Sequence, residues 1–426
     1  MMNTLKMGFR SVLYRKKQYL SLFGVCIVGV GFSLFILFLV AGMLDALESK
    51  AKNYYGGDLN FIGGTWSLSI DNIEDVITDL QSCFPEGTVI TPRFDFDAEY
   101  SSFYFEGVEV RQRVIKGCDF EREKALFSNL NYVEGNADNM ADSTGVLLSM
   151  PIAQKLGVHV NDSITFLLKT SRGYTNTVTL QVQGIFKDSS LFGMYTSYMD
   201  INTLRSAYDV PAHWGNRICI TLPNDKKDSF DIADAQSKLE EKFTMFPLVE
   251  DKQQFYDKLG FSEPTYALIA LYANLEDLKI ILDAMNLITV FIIVILLIIV
   301  IVGISTTYRV IVMKRINEIG IYKAIGMQKR RIYAVLLSEI CVLLAIGFCG
   351  GVFLSFLLSW FVRLFNLSFI PAFDIFLVNG VLLTIPSLKV MLAIGLILFV
   401  TTLIAVLFSI RKSVSVTPVV ALGTTE

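Results

Sequence analysis

The hydrophobic and polar positions of this 426-residue chain fall into two regimes. Four stretches, 20–44, 286–308, 340–361 and 390–410, are apolar around the whole helical circumference and contain no charged side chain. Each supplies the roughly 20 residues that a helix rising about 1.5 Å per residue needs to cross a hydrocarbon core about 30 Å thick. With their flanks they set four predicted spans at 20–44, 286–308, 338–361 and 389–410. Between the first two spans the pattern shifts to short alternating segments, which predicts a folded domain over 45–285.

Within that domain, helix and strand signals alternate. Residues 45–55 continue the first span with mixed charges, which predicts a helix projecting from the bilayer until Gly56-Gly57 stops it. Residues 58–62 read as a strand. Ile73, Val76, Ile77 and Leu80 recur at helical spacing over 71–80. Residues 94–115 are rich in aromatic and β-branched residues broken by Glu106-Gly107, as in a hairpin. The run 145–158 predicts a strand, a helix opened by Pro151 and a stop at Gly157, followed by strands at 164–169 and 177–186 with Gly173 between them. Residues 232–243 predict an amphipathic helix with Ala235, Leu239 and Phe243 on one side. The apolar period of 272–283 runs directly into the second span, so the domain is expected to hang on two helical stalks.

Composition agrees with a membrane protein. Hydrophobic residues make up 53% of the chain and charged residues 18%, and the mean hydropathy is +0.52. The absence of charge within the apolar stretches argues against a proton-coupled carrier or an ion channel. Basic residues cluster ahead of the first span (Lys6, Arg10, Arg15, Lys16, Lys17), after the second (309–331, with Glu318 as the only acid) and after the fourth (Arg411, Lys412). That bias predicts segments 1–19, 309–337 and 411–426 in the cytoplasm, with 45–285 and the connection 362–388 outside. The first apolar run is longer than a signal-peptide core and lacks a clear small-residue cleavage site, so it reads as a retained anchor. Residues 1–18 interleave Leu5, Phe9, Val12 and Leu13 with basic residues, a pattern suited to a helix on the inner leaflet and contact with membrane lipids.

Catalytic chemistry finds little to work with. No Gly-Lys dipeptide exists to build a phosphate-binding P-loop, and His159 and His213 are the only histidines, so neither an ATPase site nor a histidine-rich zinc site is expected. Cys83, Cys118 and Cys219 lie in the external domain, which allows at most one disulfide. No nucleic-acid partner is indicated.

The most specific segment lies between spans two and three. Arg315, Glu318, Ile319, Gly320, Lys323, Ala324 and Gly326 form a compact amphipathic stretch that runs into Lys329-Arg330-Arg331. Basic flanks alone are ordinary topology signals. The interior adds Ile316, Ile319, Ile321 and Ile325 around Glu318 and Lys323, with two glycines reducing bulk, which suits a short helix laid into a partner groove. In the third span Gly347, Gly351, Ser355 and Ser359 recur every fourth residue, a small-residue stripe that admits a close helix either within the same bundle or from a second copy.

The order of one span, a large external domain and three further spans, with Arg315-x-x-Glu318-Ile319-Gly320-x-x-Lys323-Ala324-x-Gly326 after span two, resembles the MacB/FtsX-type ABC transporter permeases over nearly the whole chain. The run 145–165 followed by 182–186, the basic N-terminal segment and the tail 416–422 also fit. The tail departs from the family pattern at Val419, Val420 and Gly423. The resemblance implies an α-helical membrane protein with four transmembrane helices and a large α+β extracytoplasmic domain between helices 1 and 2. It implies a non-catalytic subunit in the cell membrane, with both termini cytoplasmic. Its partners would be P-loop ATPase subunits, which bind the ATP and Mg, and a second permease copy, with an external acceptor or adaptor protein also possible. Substrate classes in the family are lipoproteins (Lol type) and peptides or macrolides (MacB type). Two alternatives stay open: an FtsX-like scaffold activating an external cell-wall hydrolase, and a receptor-like membrane protein without an ATPase.

Overall fold

The computed structural model describes residues 14, 16–64, 68–187, 193, 195–258, 263–274, 276–367 and 369–415. The N-terminal segment before residue 14 and the tail 416–422, both singled out above, lie outside the described residues. The chain divides into a helical unit (Met1–Leu44, Ile281–Asn366, Val381–Glu426) and a sheet unit (Asp45–Ile280, Leu367–Gly380).

The helical unit is built on α1 (Lys16–Tyr55), α2 (Glu276–Lys314), the short α3 (Ile316–Ala324), α4 (Lys329–Val362) and α5 (Leu388–Ser415). Among the described residues, four helices are long and apolar enough to cross a membrane: Tyr19–Tyr55, Leu282–Lys314, Lys329–Val362 and Leu388–Phe408. On α1, Tyr19, Leu22, Cys26, Val30, Leu34 and Phe38 follow three- and four-residue steps and are buried. They meet Val300, Ile304 and Tyr308 of α2, Ile340, Leu343 and Leu344 of α4, and Leu398 and Val406 of α5 in one cluster. Outside it, Leu287, Ile288, Val290, Phe291, Ile298 and Ile299 of α2 stay exposed. A helix apolar on every side with most of its surface uncovered is suited to hydrocarbon, not to water.

Among the described residues, the sheet unit holds twelve strands: β1 (Leu59–Gly64), β2 (Val89–Asp97), β3 (Ser102–Phe105), β4 (Val108–Arg111), β5 (Val114–Cys118), β6 (Tyr132–Gly135), β7 (Gly145–Ser149), β8 (Ser163–Lys169), β9 (Thr175–Phe186), β10 (Thr196–Asp200), β11 (Arg217–Thr221) and β12 (Thr265–Ala270). They join in the order β12-β1-β11-β2-β5-β10-β7-β9-β8-β3-β4, with β6 on β9. The β5–β10 and β7–β9 pairs are parallel and the rest antiparallel. Helices Ile73–Gln81 and Ile232–Glu240 cover the β1–β11 end, whereas Met150–Leu156 and Ile201–Tyr208 cover the strands around β5, β7 and β9. Two cores lie under these helices, and smaller clusters gather around Phe127 and around Phe255.

Several local signals appear where the pattern puts them. Glu106 and Gly107 both have left-handed backbone, φ 46° and 85°, as a two-residue hairpin turn between β3 and β4 requires. Pro151 opens its helix and Gly157 closes it at φ 74°. The stretch 94–115 is not one hairpin, however. β2 pairs with β5, while β3 and β4 part from them and extend to β8, at the far edge of the sheet. Phe243 lies beyond its helix, packed on Phe61 and Tyr266. All three cysteines of this unit are buried and free, and burial pushes the Cys219 thiol up to about 12.

A row of buried charge runs across the middle strands. Lys116, 1% exposed, reaches Asp95 at 2.9 Å, and Arg217 pairs with the other Asp95 oxygen at 2.9 Å. Burial alone would raise the Asp95 carboxyl, but Lys116 and Arg217 outweigh it and hold it down to about 2. A depressed acid stabilises the fold above its unfolded value and loses that contribution as pH falls through its folded one. Asp95 is therefore expected to contribute on the order of 2 kcal/mol at neutral pH, lost between about pH 4 and pH 2. Asp95→Asn should lower the unfolding midpoint at pH 7 and flatten the acid limb. Parallel acid limbs for parent and variant would refute that assignment.

Candidate coupling site

The short helix α3 owes its existence to two backbone breaks. Arg315 leaves helical geometry at φ −106°, ψ 15°, and Gly326 turns left-handed at φ 87° after Ile325. The Ile325, Gly326 and Met327 amides return to Ile321, Lys323 and Tyr322 carbonyls, which satisfies the helix end. Gln328 is extended, and α4 begins at Lys329.

Arg315 is 7% exposed and points into the helical unit. Its Nη1 donates to Glu339 Oε2 at 2.8 Å and to Tyr19 Oη at 3.2 Å, and its Nε donates to Glu318 Oε2 at 3.1 Å. Tyr19 Oη donates to the same Glu339 oxygen at 3.1 Å, and Tyr308 Oη lies 3.4 Å from it while donating to Leu336 O at 2.8 Å. Glu339 is completely buried, and among the described residues its Oε1 has no hydrogen-bond partner. Residues of α1, α2, α4 and the start of α3 thus converge on one carboxylate.

The nominated residues of the segment separate into two faces. Arg315, Ile319 and Gly320 are buried against the chain's own helices, and Glu318 is half-buried on Arg315. Lys323 is half-buried and is held below the ordinary lysine value by burial and by Lys329. Ala324, Gly326, Ile321 (51% exposed) and Ile325 (73% exposed) face outward, as do Lys329, Arg330 and Arg331. Placing all four isoleucines in a partner groove is thereby corrected: Ile319 belongs to the bundle core.

The small-residue stripe is occupied from within. Gly347, Gly351, Ser355 and Ser359 are all buried on α4. A Cβ at Gly347 would stand 2.5 Å from Cys26 Sγ, and one at Gly351 would stand 2.6 Å from Val30 Cβ, so α1 fills the groove. At Gly347 and Gly351 the close neighbour is α1 of the same chain.

Glu339, Tyr19 and Tyr308 escape the sequence reading. Glu339 stands one residue before an uninterrupted apolar run and looks like an edge residue, and the tyrosines look like interfacial anchors. The available signal was an acid at the head of a span, close in sequence to the basic loop that holds Arg315.

The MacB-like periplasmic core domain family matches residues 20–241, just over half of the chain, and the FtsX-like permease C-terminal family matches residues 290–418. The chain belongs to the MacB/FtsX-type permease family. Permeases of this family work with ABC ATPase partners and are generally non-catalytic. A comparison with curated protein sequences finds no match. Among solved structures, the periplasmic region of MacB from Actinobacillus actinomycetemcomitans is 11% identical, with a TM-score of 0.32, covering 54% of this chain and 95% of that one; at that score the likeness carries no argument. Among the described residues no group of three or more His, Cys, Asp or Glu is placed to hold a metal.

Two outcomes check this geometry. Glu339→Leu strands a buried guanidinium and is expected to cost about 3–5 kcal/mol, read as a lower unfolding midpoint of the purified chain, with most of it recovered in Arg315→Met/Glu339→Leu. An unchanged midpoint in the single variant would count against the cluster. Gly351→Leu should cost at least about 1–3 kcal/mol and spoil monodispersity of the single chain, because the added side chain meets Val30; a well-behaved variant would mean α1 does not seat there.

Proposed function

We propose that this chain is the permease subunit of an ABC transporter, in which α3 receives the motion of a partner ATPase and the helical unit passes it to the external sheet domain. That domain then drives export or extraction of a hydrophobic or amphipathic substrate such as a lipoprotein, peptide or drug. ATP and Mg belong to the ATPase, and a second permease copy completes the assembly. Apart from the Arg315–Glu339 pair, which the bundle's own side chains engage, the apolar stretches carry no charge to mark an ion or proton path, which favours force on the external domain as the work done.

The observation that carries the reading is the two-faced construction of α3. One face is fastened by Arg315, Ile319 and Gly320 into the helical unit, and the other presents Ile321, Ala324 and Ile325 beside three exposed basic residues. A pushed helix fixed in this way moves the helices it is bolted to, whereas a free loop would absorb the displacement. Gly320 is a poor test position because its substitution disturbs the chain's own packing. Ile321→Glu/Ile325→Glu alters only outward side chains and should leave stability within about 0.5 kcal/mol.

The test is purification of the chain from native membranes in mild detergent, with mass spectrometry and an ATPase assay of the eluate. The parent is expected to retain a P-loop ATPase, and the double variant to lose at least tenfold of both that protein and the hydrolysis. A parent eluate without an ATPase would overturn the proposal, and an external hydrolase retained with the ATPase would redirect it to the scaffold role.

A further inference from the structure

In the sheet unit, the C-terminal end of α1 is plugged into strand side chains. The carbonyls of Asn53 and Tyr54 accept from Arg93 Nη1 at 3.2 and 3.1 Å, and that of Tyr55 accepts from Asn60 Nδ2 at 3.0 Å and Cys219 Sγ at 3.3 Å. The Lys52 carbonyl takes the Gly56 and Gly57 amides. All four terminal carbonyls, which a helix leaves unsatisfied, are therefore paired. Arg93 is fully buried and is held on its far side by Glu123, which also accepts from Thr91. Gly56 is left-handed at φ 87°, and a Cβ there would stand 2.5 Å from Cys219 Sγ and 2.7 Å from Arg93.

One member of this socket also holds the other leg. Asn60 Oδ1 accepts from Arg217 Nη1 at 2.7 Å and from Asn274 Nδ2 at 3.0 Å. Asn274 ends the short helix Leu271–Asn274, just ahead of α2, and its carbonyl accepts from Lys252. Asn60 is 1% exposed and Asn274 3%. The opposite amide orientation would set the Asn60 NH2 against a guanidinium and its oxygen against a carbonyl, so the bonding pattern fixes which atom serves which leg.

We propose that Asn60 is the positioning residue that couples the two helical legs of the sheet unit, its amide nitrogen holding the end of α1 and its oxygen holding the residues that lead into α2. Displacement of either leg is then passed to the other by this side chain, beside the backbone ladder that joins β1 to its neighbours β11 and β12. This deepens the relay reading and rests on it for its purpose, while its test needs no ATPase.

The experiment is hydrogen–deuterium exchange on the full chain in lipid nanodiscs. Asn60→Leu is expected to raise exchange at least tenfold at both 53–57 and 271–274, with 163–186 unchanged. Asn60→Asp keeps the acceptor and removes the donor, so it should open 53–57 alone, an asymmetry that general destabilisation would not produce. Gly56→Ala, which crowds the α1 end, should raise exchange at 271–274 in the parent and add nothing there in Asn60→Asp. Equal loosening of both segments in Asn60→Asp, or a Gly56→Ala effect at 271–274 that persists without the Asn60 donor, would overturn the proposal. If Asn60→Leu does not fold, Asn60→Asp and Gly56→Ala carry the test. A chain that passes it yet retains no ATPase would leave the coupling standing and remove only the relay.

Discussion

The pairing of Arg315 with a fully buried Glu339 is the constraint on which the helical unit depends. Removing two ions from water is costly, and their attraction compensates only when geometry and additional hydrogen bonds are good. Here one carboxylate oxygen gathers Arg315 and Tyr19, with Tyr308 at its edge, so the cost is met only when α1, α2, α4 and the start of α3 stand in one arrangement. Apolar helices in lipid slide over one another with little preference, since tails and leucines are equally apolar. A buried polar cluster supplies the register that hydrophobicity does not, and the Gly347–Gly351 groove of α4, filled by α1, adds a steric one.

What was legible in the sequence was local. The four long apolar helices follow from length and hydropathy, the β3–β4 turn from Glu106-Gly107, and the helix of 150–156 from Pro151 and Gly157. What was not legible depends on what lies opposite. On β2 the alternation of Arg93 and Asp95 with Phe94 and Phe96 reads as a solvent face backed by a core face. The supposed solvent face is instead covered by the end of α1 and by Lys116 and Arg217. In α3 the residue types of the coupling motif were evident, but the division between inward Ile319 and outward Ile325 rests on Glu339, which the sequence places at an unremarkable edge. The partner of the small-residue stripe was undetermined for the same reason, as a groove does not name the helix that fills it.

The sheet unit answers a different problem. Its strands are ordered so that the β1–β11–β2 region receives both chain entries from the helical segments, while β3, β4 and β8 lie at the distant edge. The charged row Lys116, Asp95, Arg217 runs through the entry region, whereas the β8–β9 end is stitched mainly by backbone pairing and an apolar core that includes Phe103 and Phe166. Polar specificity is thus concentrated where two helices must be seated, and plain burial suffices elsewhere.

The three free thiols of the sheet unit carry a consequence for stability and reactivity. Cys83, Cys118 and Cys219 are sealed away from solvent, and Cys219 spends its hydrogen on the last carbonyl of α1. The folded unit therefore draws none of its stability from a disulfide. The thiolate is the reactive species, and burial, which pushes the Cys219 thiol up to about 12, keeps it both protonated and out of reach in the folded unit. Chemical modification of Cys219 is accordingly a clock for opening of the seat of α1.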